Sequence, residues 1–291
     1  MSILFRADSS STLGLGHIMR DLVFAKSLEG KVIFACQNLE GNMIDRIPYE
    51  VKILQSNNAS ELIALIKSLH VTFLVIDHYG IDAVYEQTVK EATGVKILSL
   101  DDTYEKHHCD ILLNPNLSAD VSRYEALVPK ECELRCGKPL IREEFIKEKA
   151  LQREKIYDVC IAMGGSDSAN VTLPILKALP KSLHVSVLTT TSNTHLDELQ
   201  SYAASHLNIT LHINSHEVAK VLHQSHFVIT TPSVIVHEVM FLEVPFIAIK
   251  VAQNQDDMYH YLERHEYTVM ESFEPQSLKI VVHALMKGAK K

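Results

Sequence analysis

The 291-residue chain predicts an α/β protein of two Rossmann-like, doubly wound domains facing a cleft. Three observations carry that expectation. Short, near-continuous apolar runs recur with helical periodicities between them, the pattern of parallel strands covered on both faces. The length asks for two domains at about 100–200 residues each. A charged break, Arg142-Glu-Glu-Phe-Ile-Lys-Glu-Lys149, precedes a fresh strand at Tyr157. The domains are therefore drawn as residues 1–148 and 149–291.

The first half opens with a strand at Ile3–Ala7 and a polar loop, Asp8-Ser-Ser-Ser-Thr12. A helix follows from Gly16 to Leu28, with Ile18, Leu22, Ala25 and Leu28 on one face. Strands are expected at Val32–Cys36, Val51–Leu54, Phe73–Asp77, Val95–Leu100 and Cys109–Leu113. A helix is expected at Ala59–Leu69, where Leu62, Ile63, Ile66 and Leu69 keep helical spacing. Asn114–Pro139 holds three prolines and no sustained period, and reads as irregular. Ile141–Gln152 reads as a charged linker helix.

The second half repeats the rhythm. Strands fit Tyr157–Ala162, Val185–Leu188, Ile209–Ile213, Phe227–Ile229 and Pro245–Ile249. Helices fit Ala169–Leu179, Leu196–Ala204, Val218–Gln224, Val234–Leu242, Met258–His265 and Pro275–Lys287. The last of these is expected to pack back on the first domain.

Composition narrows the partners. Lys and Arg total 28 against 36 Asp and Glu, a net charge of −8. An acidic surface argues against non-specific binding to nucleic acid or anionic membranes. The five cysteines are odd in number and scattered, which is no disulfide framework. Arg6 and Asp8 interrupt the N-terminus too early for a signal peptide, and the apolar runs are strand-sized, so a cytoplasmic protein is expected.

Four segments could carry chemistry. Gly14-Leu-Gly16-His17-Ile-Met-Arg20 enters a helix after the first strand. Glycines allow a tight turn, and free N–H groups at a helix start favour anions. Met19 stands where the dinucleotide fingerprint needs its third glycine, so that motif is excluded. His17 lies where sites fall in such sheets, outside a strand end. Met163-Gly164-Gly165-Ser166-Asp167 makes a small phosphate-accepting turn after the first strand of the second half. In Thr230-Thr-Pro-Ser233-Val-Ile-Val-His-Glu238 a strand ends in hydroxyls and a helix begins near the proline. Ser233 and free amides there suit a diphosphate, and Glu238, about one turn on, can accept both hydroxyls of a ribose. The scatter His107-His-Cys109 and Cys132-Glu-Leu-Arg-Cys136 uses metal-ligand residue types. Cys109 sits in an apolar run and the second pair alternates like a strand, so these read as buried free cysteines and no metal is expected.

At these residues the chain resembles a known family. Arg6-Ala-Asp8-Ser-Ser with Gly14-Leu-Gly-His17-Ile-Met-Arg20-Asp21 is similar to the N-terminal motif of the UDP-2,4-diacetamido-2,4,6-trideoxy-β-L-altropyranose hydrolases of pseudaminic acid biosynthesis. Val75-Ile-Asp-His-Tyr79-Gly80, His107-His-Cys-Asp-Ile-Leu-Leu-Asn114, Cys132-Glu-Leu-Arg-Cys136-Gly, Leu140-Ile-Arg-Glu-Glu-Phe145 and Met163-Gly-Gly-Ser-Asp167 also match. The resemblance spans most of the chain and is least clear after Glu271. It implies the GT-B-like, B-type glycosyltransferase architecture, with UDP bound in the C-terminal domain and the sugar and catalytic side in the N-terminal one.

The resemblance also implies a reaction. Water attacks the anomeric carbon of a UDP-linked 2,4-diacetamido-2,4,6-trideoxy sugar, and the C–O bond to UDP breaks with inversion. UDP is a good leaving group, and helix N-termini and hydroxyls can stabilise its charge without a metal or other cofactor. A base must sit on the opposite face, and an imidazole, which titrates near neutral pH, suits His17. Tyr79 and Asn254 are implied to hold sugar and water. Asp8, Gly16 and Arg20 are expected to contact the sugar or hold the loop; Gly164, Gly165, Ser166, Asp167, Ser233 and Glu238 are expected to bind the nucleotide. A monomer is implied. The rival readings are a glycosyltransferase with a sugar or lipid acceptor, a non-catalytic UDP sensor, and a UDP-sugar 2-epimerase.

Overall fold

The computed structural model describes residues 1–10, 13 and 16–288. Ser11, Thr12, Gly14 and Leu15 of the first motif lie outside the described residues. The chain divides into two compact units, Met1–Leu140 and Ile141–Lys291.

The first unit is a seven-stranded parallel sheet. Its strands are β1 (Ser2–Ala7), β2 (Lys31–Gln37), β3 (Glu50–Leu54), β4 (Phe73–Asp77), β5 (Lys96–Leu100), β6 (Ile111–Asn114) and β7 (Glu133–Cys136), in the order 3-2-1-4-5-6-7. Its helices are α1 (Gly16–Ala25), α2 (Ala59–Ser68) and α3 (Ala83–Thr93). Alternate residues of β1 feed two cores. Ile3, Phe5 and Ala7 join Ile18 and Phe24 of α1 on one face, while Leu4 joins Leu62 and Ile66 of α2 on the other. Burial on both faces explains why these strands read as continuous apolar runs.

Two elements here depart from expectation. Helix α3 was absent from the reading because its apolar stripe is thin; only Val89 and the carboxylate-bearing Glu86 are buried. Its ends are well marked nonetheless, by the Asp82 carboxylate accepting from Tyr85 N–H and by Gly94 in the left-handed region at φ 69°. Strand β7 lies inside the stretch expected to be irregular. It is a half-exposed edge strand, which needs no apolar run.

The second unit repeats the plan. Strands β8 (Tyr157–Ala162), β9 (Val185–Thr189), β10 (Ile209–Ile213), β11 (Ser225–Thr230), β12 (Phe246–Ile249) and β13 (Val269–Met270) pair in parallel in the order 10-9-8-11-12-13. The helices are α4 (Glu143–Lys149), α5 (Thr172–Ala178), α6 (Leu196–Ala204), α7 (Val218–His223), α8 (Val234–Phe241), α9 (Asp256–Arg264) and α10 (Pro275–Gly288).

The division falls after Leu140, where the sequence reading put it after residue 148. The charged α4 is not a free linker. It packs on α7 and α8 with Phe145 fully buried, and Glu148 pairs with Arg153 and His223. Helix α10 also corrects an expectation. It packs on α5 and sinks Leu278 and Val282 into the second unit's own core. Among the described residues, no helix is long and apolar enough to cross a membrane.

Candidate active site

In each sheet the strand order reverses at one adjacent pair, β1/β4 in the first and β8/β11 in the second. Loops leaving such a pair diverge to opposite faces and open a crevice at the strand ends, where ligands bind in doubly wound sheets. The motifs singled out in the sequence leave these four strands.

At the first reversal, α1 presents His17 and Arg20 to the end of β4. His17 Nδ1 lies 3.2 Å from the main-chain oxygen of Asp77 and 3.4 Å from its Oδ1. A carbonyl oxygen only accepts, so Nδ1 carries the hydrogen and Nε2 keeps the lone pair. Arg20 grips both Asp77 oxygens, at 2.6 and 2.5 Å, and reaches Asp102 Oδ2 at 2.6 Å. Tyr79 donates to Asp102 Oδ1 at 2.9 Å and sets its ring edge-on to His17, centroids 4.5 Å apart. Burial, with the neighbouring Asp102 charge, pushes the Tyr79 phenol up to about 12. It is therefore a hydrogen-bond donor at neutral pH. Among the described residues, a Cβ at Gly16 would meet no atom within 4 Å beyond its own chain neighbours and helix backbone.

Asp8 is committed elsewhere. Arg6, fully buried, binds it bidentately at 2.7 and 2.9 Å; Gln37 N–H and His78 Nε2 complete the set. These partners overcome the burial penalty and hold the Asp8 carboxyl below the usual carboxylate range. Of the two roles expected for it, this geometry supports holding the loop. Arg20, likewise, is spent on carboxylates of the protein.

In the second unit, Gly164, Gly165 and Ser166 lie exposed at the end of β8. Gly164 adopts φ +93°, and a Cβ on Gly165 would come within 2.8 Å of Thr190 Cγ2. The positive φ at Gly164 favours glycine, while a side chain at Gly165 would push against the Thr190 methyl. Asp167 corrects an expectation, because it turns inward. Its two oxygens accept from the N–H groups of Val171 and Thr172 at 3.1 Å, capping α5 instead of facing a ligand. Ser233 precedes α8 without capping it through its side chain; its hydroxyl lies 2.9 Å from that of Thr231. Asn254 is exposed in a short 3₁₀ turn, Gln253–Gln255, beyond β12.

Glu238 is buried on α8, with both oxygens on Arg142, at 2.6 Å to Nε and 2.8 Å to a terminal nitrogen. Burial raises its carboxyl pKa despite the pull of Arg142. A ribose reaching Glu238 would have to share or displace that guanidinium.

The cysteine and histidine scatter resolves into structure. His107 is buried beside Glu86 at 2.8 Å, with Asp101 4.0 Å away. Burial disfavours its charge, but these carboxylates outweigh it and hold His107 up at about 9. Cys109 and Cys132 are free thiols with sulfurs 3.7 Å apart. Among the described residues, no group of three or more His, Cys, Asp or Glu could hold a metal ion.

Sequence reasoning missed Asp77, Asp102, Arg6 and Arg142 as partners. Asp77 had a usable signal, a carboxylate at the last position of an apolar central strand.

The class is set by the fold, which is GT-B-like. Acinetobacter baumannii MurG matches with a TM-score of 0.63 at 15% identity, over 98% of this chain and 90% of that one. Anabaena HepE in complex with UDP-glucose matches at 0.64 and 11%, over 100% and 91%. The UDP-GlcNAc 2-epimerase of Neisseria meningitidis bound to UDP-GlcNAc matches at 0.63 and 10%, over 100% and 92%.

Within that class the family is specific. The UDP-2,4-diacetamido-2,4,6-trideoxy-β-L-altropyranose hydrolase of Campylobacter jejuni is 48% identical over 271 residues, covering 92% of this chain and 98% of that protein. The chain belongs to this hydrolase family. An uncharacterized protein of Methanocaldococcus jannaschii is 24% identical over 287 residues, and the match spans 59% of its length. No protein-family profile matches the chain.

Proposed function

We propose that this protein hydrolyses a UDP-linked 2,4-diacetamido-2,4,6-trideoxy sugar at its anomeric carbon, with inversion, as a step of pseudaminic acid biosynthesis. The observation that carries this reading is the 48% identity across nearly the whole length of a hydrolase of that substrate. The His17 geometry supports the chemistry. With Nδ1 donating to Asp77, Nε2 is the ring atom able to take a proton from water.

The steps balance simply. A bond forms from the water oxygen to the anomeric carbon, and the bond from that carbon to the diphosphate oxygen breaks. Its electron pair leaves on UDP, and the water's proton goes to His17 Nε2. Tyr79, whose single hydroxyl hydrogen is held by Asp102, accepts a hydrogen bond from the sugar or water through its oxygen, and Asn254 helps hold them. In the second unit the Gly164-Gly165-Ser166 turn and Ser233 receive the diphosphate, and Glu238 the ribose. Preorganised donors of this kind are worth about 10²–10³ in rate each. The reaction then needs no metal, and a monomer suffices.

The test supplies the UDP-sugar with no acceptor. Release of UDP and free sugar, with the anomeric configuration inverted in the first product detected by NMR, is the expected result. UDP release that begins only when a sugar or lipid acceptor is added would make the protein a transferase.

A further inference from the structure

Asp21 follows Arg20 on α1 and is completely buried, and among the described residues neither of its oxygens finds a hydrogen-bond donor. A buried ionised carboxylate without donors costs several kcal/mol, far more than a neutral acid in the same place. The neighbouring negative charge that bears on it is another carboxylate, Asp77. Two acceptors can bond only if one carries a proton. Asp77 is the member bound by cations and donors, Arg20 bidentately and His17 through Nδ1. The proton therefore belongs on Asp21. Burial, and then the Asp77 charge, push the Asp21 carboxyl well above its ordinary value against the pull of Arg20.

We propose that Asp77, backed by the neutral acid Asp21, is the positioning residue that locks His17 in the Nδ1–H tautomer and aims Nε2 at the attacking water. Asp21 donates to Asp77 from behind. Arg20 clamps both oxygens of the same carboxylate. Asp77 then accepts from Nδ1 through both its main-chain oxygen and Oδ1. Without this arrangement the ring is free to flip or change tautomer, and the lone pair no longer points outward. When Nε2 takes a proton the imidazolium charge faces the Asp77 carboxylate that Arg20 grips. Asp102 serves the other side of the cluster by holding Arg20 and the Tyr79 hydroxyl.

The inference rests on His17 being the base, and the experiment separates the two. The ring nitrogens of His17 are observed by ¹⁵N NMR in the full-length protein, assigned by their loss in His17→Gln. The expected spectrum has Nδ1 protonated and Nε2 bare. Asp21→Leu, which removes the donor at similar volume, should mix the tautomers and lower kcat roughly tenfold with little change in KM, less than the roughly 10²–10⁴ expected on losing the base itself. Asp21→Asn, whose amide also donates, should restore the tautomer. An infrared band of a protonated carboxyl should vanish in Asp21→Asn. A wild-type ring protonated at Nε2, or a spectrum and kcat unmoved by Asp21→Leu, would overturn the proposal. A locked Nδ1–H tautomer alongside an active His17→Ala enzyme would uphold the positioning and remove His17 as the base.

Discussion

Arg142 and Glu238 stand 96 positions apart and meet in a two-pronged ion pair, with contacts of 2.6 and 2.8 Å. The pair ties the residue preceding α4 to the buried face of α8. Bidentate geometry of this kind is specific and roughly twice as strong as a neutral hydrogen bond. It also occupies the carboxylate we assign to the ribose, so nucleotide binding and this pair should compete or combine.

Glu238→Ala should weaken UDP binding by about 1.5–3 kcal/mol, the range for hydrogen bonds to a charged group. Calorimetry with UDP and with 2′,3′-dideoxy-UDP separates the causes. The loss should be large for UDP and small for the dideoxy nucleotide, which has no hydroxyls to give. Equal losses for both would assign Glu238 to holding Arg142 and not to the ribose.

His17→Ala should leave UDP affinity near wild type, since the proposed nucleotide groups all belong to the second unit. Single-turnover hydrolysis should slow by roughly 10²–10⁴. A loss of UDP affinity matching the loss of rate would make His17 a binding residue.

Turnover should survive EDTA. On the proposed reading, the leaving diphosphate is served by amide N–H groups and hydroxyls at Gly164–Ser166 and Ser233 rather than by a cation. Initial rates before and after chelation check this, and recovery on adding Mg²⁺ to a chelated, inactive enzyme would contradict it.

Stability should depend on pH through His107. Its folded pKa is raised to about 9, from an ordinary value near 6.5. A raised pKa means the folded state holds the proton more tightly. The contribution is therefore fully present below pH about 6.5 and is lost as pH climbs through about 9. Urea midpoints of wild type should fall across that window, and those of His107→Gln should fall less. Parallel curves would show that the Glu86–His107 contact contributes nothing through charge.

The sequence by itself determined the rhythm of this protein. Apolar runs such as Phe73–Asp77 and Phe246–Ile249 and the stripes of α2 and α10 are local patterns, and burial on one or both faces writes them directly into the chain. The turn after β8 was legible for the same reason, because Gly164 adopts a positive φ that glycine takes most readily. Helix α3, with its thin stripe, was hidden because its stabilisation is not local burial, and the edge strand β7 showed only in the alternation of residues 132–136. The tertiary structure alone decided the partners. Arg20 meets Asp77 and Asp102 from 57 and 82 positions away because β1, β4 and β5 are neighbours in the sheet. Asp167 looked like a ligand group by type and place, and the fold turned it to the start of α5; of the two roles open to Asp8, its ion pair with Arg6 favours holding the loop. A side chain's chemistry follows from its residue type, but whether its charge faces a ligand or another residue depends on which strands lie side by side.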